Sequence, residues 1–466
     1  MTTMPPTGAS TFSGQLAEFG ASLTLERVPA PVIAHAKLLT LDTLGAAIAG
    51  VPTAECQAAI RAVRTLAAAD GGPSTVWGTA LRTTRACAAL VNGIAAHAQE
   101  LDDFGGCDHS GAVVLPAVLA ACEGSGVTGA RALEAIIVGY DLALRVLEAA
   151  GGYRAHNGRG WHSTGTCGSF GAAAAVAKVL NLDARHTTWA LGIAGTFTGG
   201  TWAFLADGAM SKRYHPGRAA ETGVVAAALA QEGFTGPTQV FEAEWGGFLP
   251  TYAPGDAEPA RLTRSLGTEF MIMRSGVKPY ACCRGAHSTL DAVLDLRRRY
   301  ALTADRVAAV AIRCTAADKQ MLGDRDPMTR LAAQMSLPYS VAVALTTGRA
   351  SLTEYEDTWL MNGPTRALMG NVEMRVDASL PEGREPYVTI TTRDGQQHTG
   401  HVDIGRGAPE NPLPPSDIIA KYENLAARVL RPKSVGAIKD LVLALEEVPT
   451  IDALCEALRT AETRTT

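Results

Sequence analysis

The residues best able to do chemistry in this chain sit on glycine-rich loops that lead into apolar helices. In GRGWHSTGTCGSFGAAAAVAKVL, residues 158–180, glycines precede His162, then Ser163 and Thr164, either of which can cap a helix, and then an alanine-rich segment with no proline to stop it. The first N–H groups of a helix point outward unpaired, so His162 would sit at a mouth suited to a carboxylate or phosphate. The competing reading is a tight loop in which His162 is merely hydrogen-bonded. FGGCDHSGAVVLPAVLAACEGSG repeats the design, with His109 before Ser110. Just upstream, the helix expected through TTRACAALVNGIAAHAQELDD ends in an acidic last turn. Glu100, Asp102 and Asp103 there form either a solvated terminus or a proton-handling cluster. In MSKRYHPGRAAETG, the residues Lys212, Arg213, His215 and Arg218 stand before another alanine-rich helix. Their charge adds to that of the helix N-terminus and makes an anion site, the alternative being a solvated basic loop. Histidines that titrate near neutrality beside groups that hold an anion suit proton transfer on a bound acid.

The elements that must position these groups are mostly helices. Apolar residues recur every three or four positions through VIAHAKLLTLDTLGAAIAG, which ends at Gly50, and a further helix is expected over 55–68. GARALEAIIVGYDLALRVLEAA and HTTWALGIAGTFTGG continue the pattern. Near residue 268 the character changes: a strand-like piece and a proline turn lead to a helix, and VAAVAIRC, EMRVDAS and EPYVTITTRDGQQHTGHVDI alternate as strands, with DG as a turn. Within that region RLAAQMSLPYSVAVALTTGRASL is expected to be helical, with Tyr339 near its start. From Pro415 onward, amphipathic helices would return to the first bundle.

Composition narrows the function. A chain of 466 residues with 47% hydrophobic and 19% charged residues can bury a large core, and a net charge of −5 gives no basic surface for nucleic acid. The N-terminal MTTMPPTGASTFSGQ lacks a charged and then apolar leader and is expected to be a short flexible lead. Runs such as Ala172 to Leu180 are too short to span a bilayer, so no membrane association and a cytoplasmic location are expected. The nine cysteines form no paired framework, adjacent Cys282 and Cys283 are poorly placed to chelate one ion, and no HxxxH spacing appears, so no metal or organic cofactor is expected. The Thr-rich last residues are expected to fray.

Taken in order, AHAQELDDFGGCDHSGAVVLPA, GWHSTGTCGSFGAAAAVA, MSKRYHPGRAAETG, KPYACCRGAH and QMSLPYSVAVAL resemble the MmgE/PrpD family over nearly the whole chain. The resemblance implies a mainly α protein: a large all-helical domain built from both chain ends (1–267 and 408–466), a smaller α+β lid domain (268–407), a homodimer, and a site between the domains. Its implied substrates are small di- or tricarboxylates. Carried over by motif, the catalytic set is Asp102 or a neighbouring carboxylate, His109, His162, Lys212, His287 and Tyr339. Lys278, Arg213, Ser163 and Thr164 are expected to bind substrate. One departure stands out: many members have Asp where this chain has Glu100. The first reading of the reaction is a dehydratase-type lyase similar to 2-methylcitrate dehydratase. The alternatives are an isomerase or epimerase of the iminodisuccinate type and a decarboxylase of the cis-aconitate type.

Overall fold

In a computed structural model, residues 11–67, 71–381 and 383–459 are described. The expected flexible lead lies outside the described residues up to residue 10, and its end is instead the start of the Phe12–Ser22 helix; the last residues, expected to fray, also lie outside the described residues. The protein is mainly α. Long helices cover Ala30–Gly50, Gly129–Ala149 and Ser211–Gln231, with shorter ones at Arg85–His97, Ser110–Cys122 and Gly168–Val179 between them. Ala30–Gly50 is long and apolar enough by composition to cross a membrane, which the short runs singled out in the sequence missed, but most of its apolar window is buried inside the protein. Its Asp42 pairs with Lys421 at 2.5 Å, a charge partner supplied by the Pro415–Ala426 helix packed along it.

These helices pack on small residues because their backbones nearly touch. A Cβ on Gly93 would lie 2.6 Å from Gly217 Cα, so the Arg85–His97 and Ser211–Gln231 helices approach as only glycine allows. Aromatics fill the wider gaps: Phe170 packs on Phe241 and Phe248, with ring centroids 4.8 and 5.0 Å away. Truncating Phe170 to alanine would cost about 3–5 kcal/mol.

The main helical core takes in residues from Leu16 to Val277 and again from Leu413 to Leu458. A second core runs chiefly from Tyr280 to Ile390 and surrounds the sheet. Short β1 (Ser74–Thr75) and β2 (Arg82–Thr83) pair by themselves. In the second core, β3 (Val307–Cys314), β4 (Val372–Val376), β5 (Tyr387–Thr392) and β6 (Gln397–His401) form one sheet in the order β4-β3-β5-β6. β3 runs parallel to β4, with Val310 opposite Val372, and antiparallel to β5. Val388, Ile390 and Thr392 of β5 face the core at the two-residue period, and Asp394-Gly395 turns the chain into β6. The His287–Arg299 and Leu337–Thr347 helices cover it.

Several local expectations change. The stretch before His287 is not strand-like: Met271–Arg274 and Arg284–Ala286 are 3-10 turns, and an isolated bridge ties Gly276 to Phe104. The helix expected to carry the acidic turn stops at His97, and Glu100, with φ 52°, reverses the chain. Lys212, Arg213, His215 and Arg218 lie inside the Ser211–Gln231 helix rather than before it; Pro216 is tolerated there, near the N-terminal end. Neither Ser163 nor Thr164 caps a helix. His162 takes the cap position without a capping bond, and the segment breaks at Cys167 into Ser163–Thr166 and Gly168–Val179. The nine cysteines are all free thiols.

Candidate active site

The loop after His97 carries the site's carboxylates, and neither reading as a solvated terminus nor as a helix end survives, because Glu100, Asp102 and Asp103 are all buried. Two anchors hold the loop. Asp103 accepts from Gly111 N–H at 3.0 Å, covering the open start of the Ser110–Cys122 helix, and Lys421 Nζ donates to Leu101 O at 2.6 Å. The close approach at Gly93 and Gly217 sets this loop against the first turns of the Ser211–Gln231 helix.

At one end of the cluster, three cations surround one carboxylate. Glu100 accepts from Lys212 Nζ at 2.7 and 2.8 Å, from Lys278 Nζ at 3.1 Å and from Arg213 Nη1. Burial alone would push the Glu100 carboxyl up, but Lys212, Lys278 and Arg213 together hold it well below the usual range. The same ion pairs raise Lys278 against its own burial. Arg213 Nη2 donates to Gln334 Oε1 at 2.9 Å, and Gln334 Nε2 donates to Gln99 O at 2.8 Å and Ala281 O at 3.1 Å, so one side chain ties both cores to this end. Three positive charges against one negative leave an excess that a substrate carboxylate can neutralise.

At the other end, imidazoles alternate with carboxylates. Asp102 lies 3.1 Å from His97 Nδ1 and 3.1 Å from His109 Nδ1. His109 Nε2 faces Asp108 at 3.6 Å and Glu100 at 4.0 Å, and His162 Nε2 lies 3.3 Å from Asp108 Oδ2. Asp108 adopts φ 96°, a conformation costly for a residue with a Cβ, and it aims its carboxylate between the two histidines. Both histidines were expected to titrate near neutrality, and the environment drives them apart instead. Burial lowers His109, but Asp108 and Asp102 overcome it and raise the ring. Burial brings His162 down to about 4 despite its bond to Asp108, with Lys212 and His109 adding to the fall. Asp103 is pushed up to about 7 by burial and by Asp102 beside it.

The structure therefore brings together Asp102, His109, His162, Lys212, Arg213 and Lys278, the last from the short stretch that joins the two cores. Thr164 Oγ1 touches His162 Nε2 at 3.3 Å, while Ser163 turns away to Asn157, whose amide donates to it at 3.0 Å. Tyr339 and His287 are not joined to the cluster by a hydrogen bond or ion pair among the described residues. Tyr339 is fully buried and donates to Glu354 O at 2.8 Å, and His287 Nε2 lies 3.2 Å from Cys282 O with its ring against Phe104 and Tyr280. Sequence reasoning passed over His97, Asp108 and Gln334. The first two had a readable signal, since His97 precedes Glu100 by three residues and Asp108 directly precedes His109. Gln334 had none, because its role depends on two cores meeting.

The sequence has no HxxxH spacing, yet the fold brings histidines from separate loops into shared groups. His97, Asp102 and His109 form one donor group within metal-ligand reach, and Asp108, His109 and His162 form another. Three donors satisfy the count for a divalent ion. The ammonium groups of Lys212 and Lys278, held on Glu100 beside His109, oppose a further cation there, so the donor set fits a metal poorly.

The chain is 29% identical to a cis-aconitate decarboxylase of Aspergillus terreus, covering 96% of this chain and 95% of that protein. It is 29% identical to the cis-aconitate decarboxylase-like protein oryM of Aspergillus oryzae, over 97% and 98% of the two chains. To the human cis-aconitate decarboxylase it is 27% identical, over 92% and 90%. The MmgE/PrpD N-terminal domain matches residues 14–260, which include His109, His162 and Lys212, and the MmgE/PrpD C-terminal domain matches residues 280–447. On that coverage the chain belongs to the MmgE/PrpD family.

Proposed function

We propose that this protein is a lyase that removes CO₂ from a small unsaturated tricarboxylate of the cis-aconitate type. The observation that carries the reading is the imbalance between acid and base in the cluster. A dehydration or epimerisation that starts at a C–H bond needs a base strong enough to take that proton. His162, brought down to about 4, is a weak one. Decarboxylation needs a proton donor instead, and His109, raised by Asp108 and Asp102 against its burial while His162 and His97 are lowered, is the ring of the three that holds a proton most strongly. The whole-length similarity to cis-aconitate decarboxylases supports the same choice over the dehydratase reading first drawn from the motifs.

The cations Lys212, Arg213 and Lys278 would hold the carboxylates that remain. The C–C bond to the departing carboxylate breaks, its electron pair forms a new C=C bond to the adjacent alkene carbon, the original π pair shifts to the far alkene carbon, and that carbon takes a proton from His109. CO₂ leaves, and His109 recovers its proton from solvent. Holding the anionic intermediate among buried cations lowers its energy most where water is excluded.

A direct test follows the protein by NMR in D₂O with cis-aconitate, 2-methylcitrate and a set of dicarboxylates. CO₂ release with one deuterium entering the product supports the reading. Elimination of water, or exchange of an α-proton without loss of carbon, overturns it in favour of a dehydratase or an epimerase.

A further inference from the structure

His162 Nδ1 and His215 Nδ1 lie 2.8 Å apart, so the bond between them carries a single proton and one ring must give it. The far side of His162 decides which. Its Nε2 lies 3.3 Å from Asp108 Oδ2, and if that nitrogen bore a lone pair it would face a carboxylate oxygen. With the proton on Nε2 the contact becomes a charge-assisted hydrogen bond, and Thr164 Oγ1, also 3.3 Å away, accepts part of it. His162 Nδ1 is then bare and needs a donor, and His215 stands at hydrogen-bond distance from it.

We propose that His215 is a positioning residue: it donates its Nδ1–H to His162 Nδ1 and thereby locks His162 as the tautomer that presents Nε2–H to Asp108 and the substrate space. His215 is itself held in place. A Cβ on Gly200, which has φ 128°, would lie 3.2 Å from the His215 ring, and its Cβ packs near Gly165. Phe204 closes the other side, with ring centroids 6.0 Å apart. The charged or titratable neighbours of the pair come from several elements: Asp108 and His109 from the loop, His97 from its helix end, His156 from the Gly152–Gly158 helix, and Lys212 one turn before His215. Burial, His162 and Lys212 bring His215 down to about 3, so both rings are neutral at pH 7 and the single-proton count holds. Occupying Nδ1 also explains how His162 stays neutral beside a carboxylate: the nitrogen free to take a second proton is already in use.

The test has a spectroscopic and a kinetic arm. In the full-length protein labelled with ¹⁵N-histidine, His162 should show a protonated Nε2 and a bare Nδ1, and His215 a protonated Nδ1, with His162→Gln assigning the resonances. His215→Leu should let His162 take its second proton at a pH about one unit higher, move the acid limb of the kcat profile with it, and lower kcat roughly 10–100-fold with KM within about twofold. His215→Gln, whose amide can donate to the same nitrogen, should recover most of that loss. The kinetic arm rests on the proposed function, because His162 reaches the proton donor His109 through Asp108, which faces both rings, and the spectroscopic arm does not, so the two can fail separately. A wild-type spectrum with the His162 proton on Nδ1 overturns the proposal, whether or not the leucine variant folds. A folded leucine variant with unchanged kcat and pH profile does so too, as does a folded glutamine variant no better than leucine.

Discussion

The two ends of the cluster solve the problem of buried charge in opposite ways. Around Glu100, charge is paired tightly by the hydrogen-bonded cations Lys212, Arg213 and Lys278. Around Asp102 and Asp108, the partners are imidazoles whose charge depends on their surroundings, so neighbouring rings of the same type are driven in opposite directions. A permanent ion pair holds and an adjustable one transfers. The lesson is that proximity does not assign a role: His109 Nε2 faces both ends, 4.0 Å from Glu100 and 3.6 Å from Asp108, and only its protonation tells which end it serves.

The largest way to break this contrast is at Glu100. Glu100→Ala should strip three buried cations of their shared partner and cost about 3–5 kcal/mol, read as a fall in the midpoint of denaturant unfolding. Glu100→Asp should keep part of that stability while raising KM, since a shorter carboxylate reaches fewer of the cations. At the other end the effect should fall on rate: His109→Gln is expected to lower kcat about 10²–10³-fold, with KM nearly unchanged and unfolding barely shifted. A variant at either end that moves the opposite quantity would dissolve the distinction.

Asp103 sharpens it, because this carboxyl is bonded to neither a cation nor an imidazole and is raised by burial and by the neighbouring Asp102. Its folded-state pKa of about 7 lies above the roughly 3.9 of an unfolded aspartate, so the folded state binds the extra proton. The stability it contributes is full below about pH 4 and is lost as pH rises through about 7. Relative to Asp103→Asn, the native protein should therefore weaken between pH 5 and pH 8 by on the order of 2 kcal/mol, measured as the difference between paired unfolding curves. A constant difference across that range would refute the assignment. The smallest effect belongs to Tyr339→Phe, which removes one hydrogen bond to Glu354 O and should cost about 1 kcal/mol of stability with kcat within a few-fold.

How much of this could be read in advance follows the range of the forces involved. The helices before residue 268 and the strands after it announced themselves by period, a local property, and so did His109 and His162 on their glycine-rich loops. The acidic loop did not. Glu100 and Asp108 sit at positive φ in a buried loop, and several of the groups they meet, Lys212, Lys278 and His162, come from far along the chain. The same holds for protonation: the types of His109 and His162 suggested a shared pKa near neutrality, and burial against different neighbours separated them. Tyr339 is a motif residue whose hydroxyl donates to a backbone carbonyl, Glu354 O, a contact that the motif alone does not predict.

The bond from Lys421 to Leu101 O spans 320 residues of sequence, and it bears on how the protein comes into being. At synthesis rates of about 5–20 residues per second, the loop carrying Glu100 and Asp102 leaves the ribosome roughly 15–60 s before the lysine that anchors it. During that interval Asp42 also lacks its partner, since the same ammonium serves both. A nascent chain can lay down most of its helices early, but its carboxylate loop settles only when the last stretch is made, so a chain released too soon should fold around a site that has not yet closed.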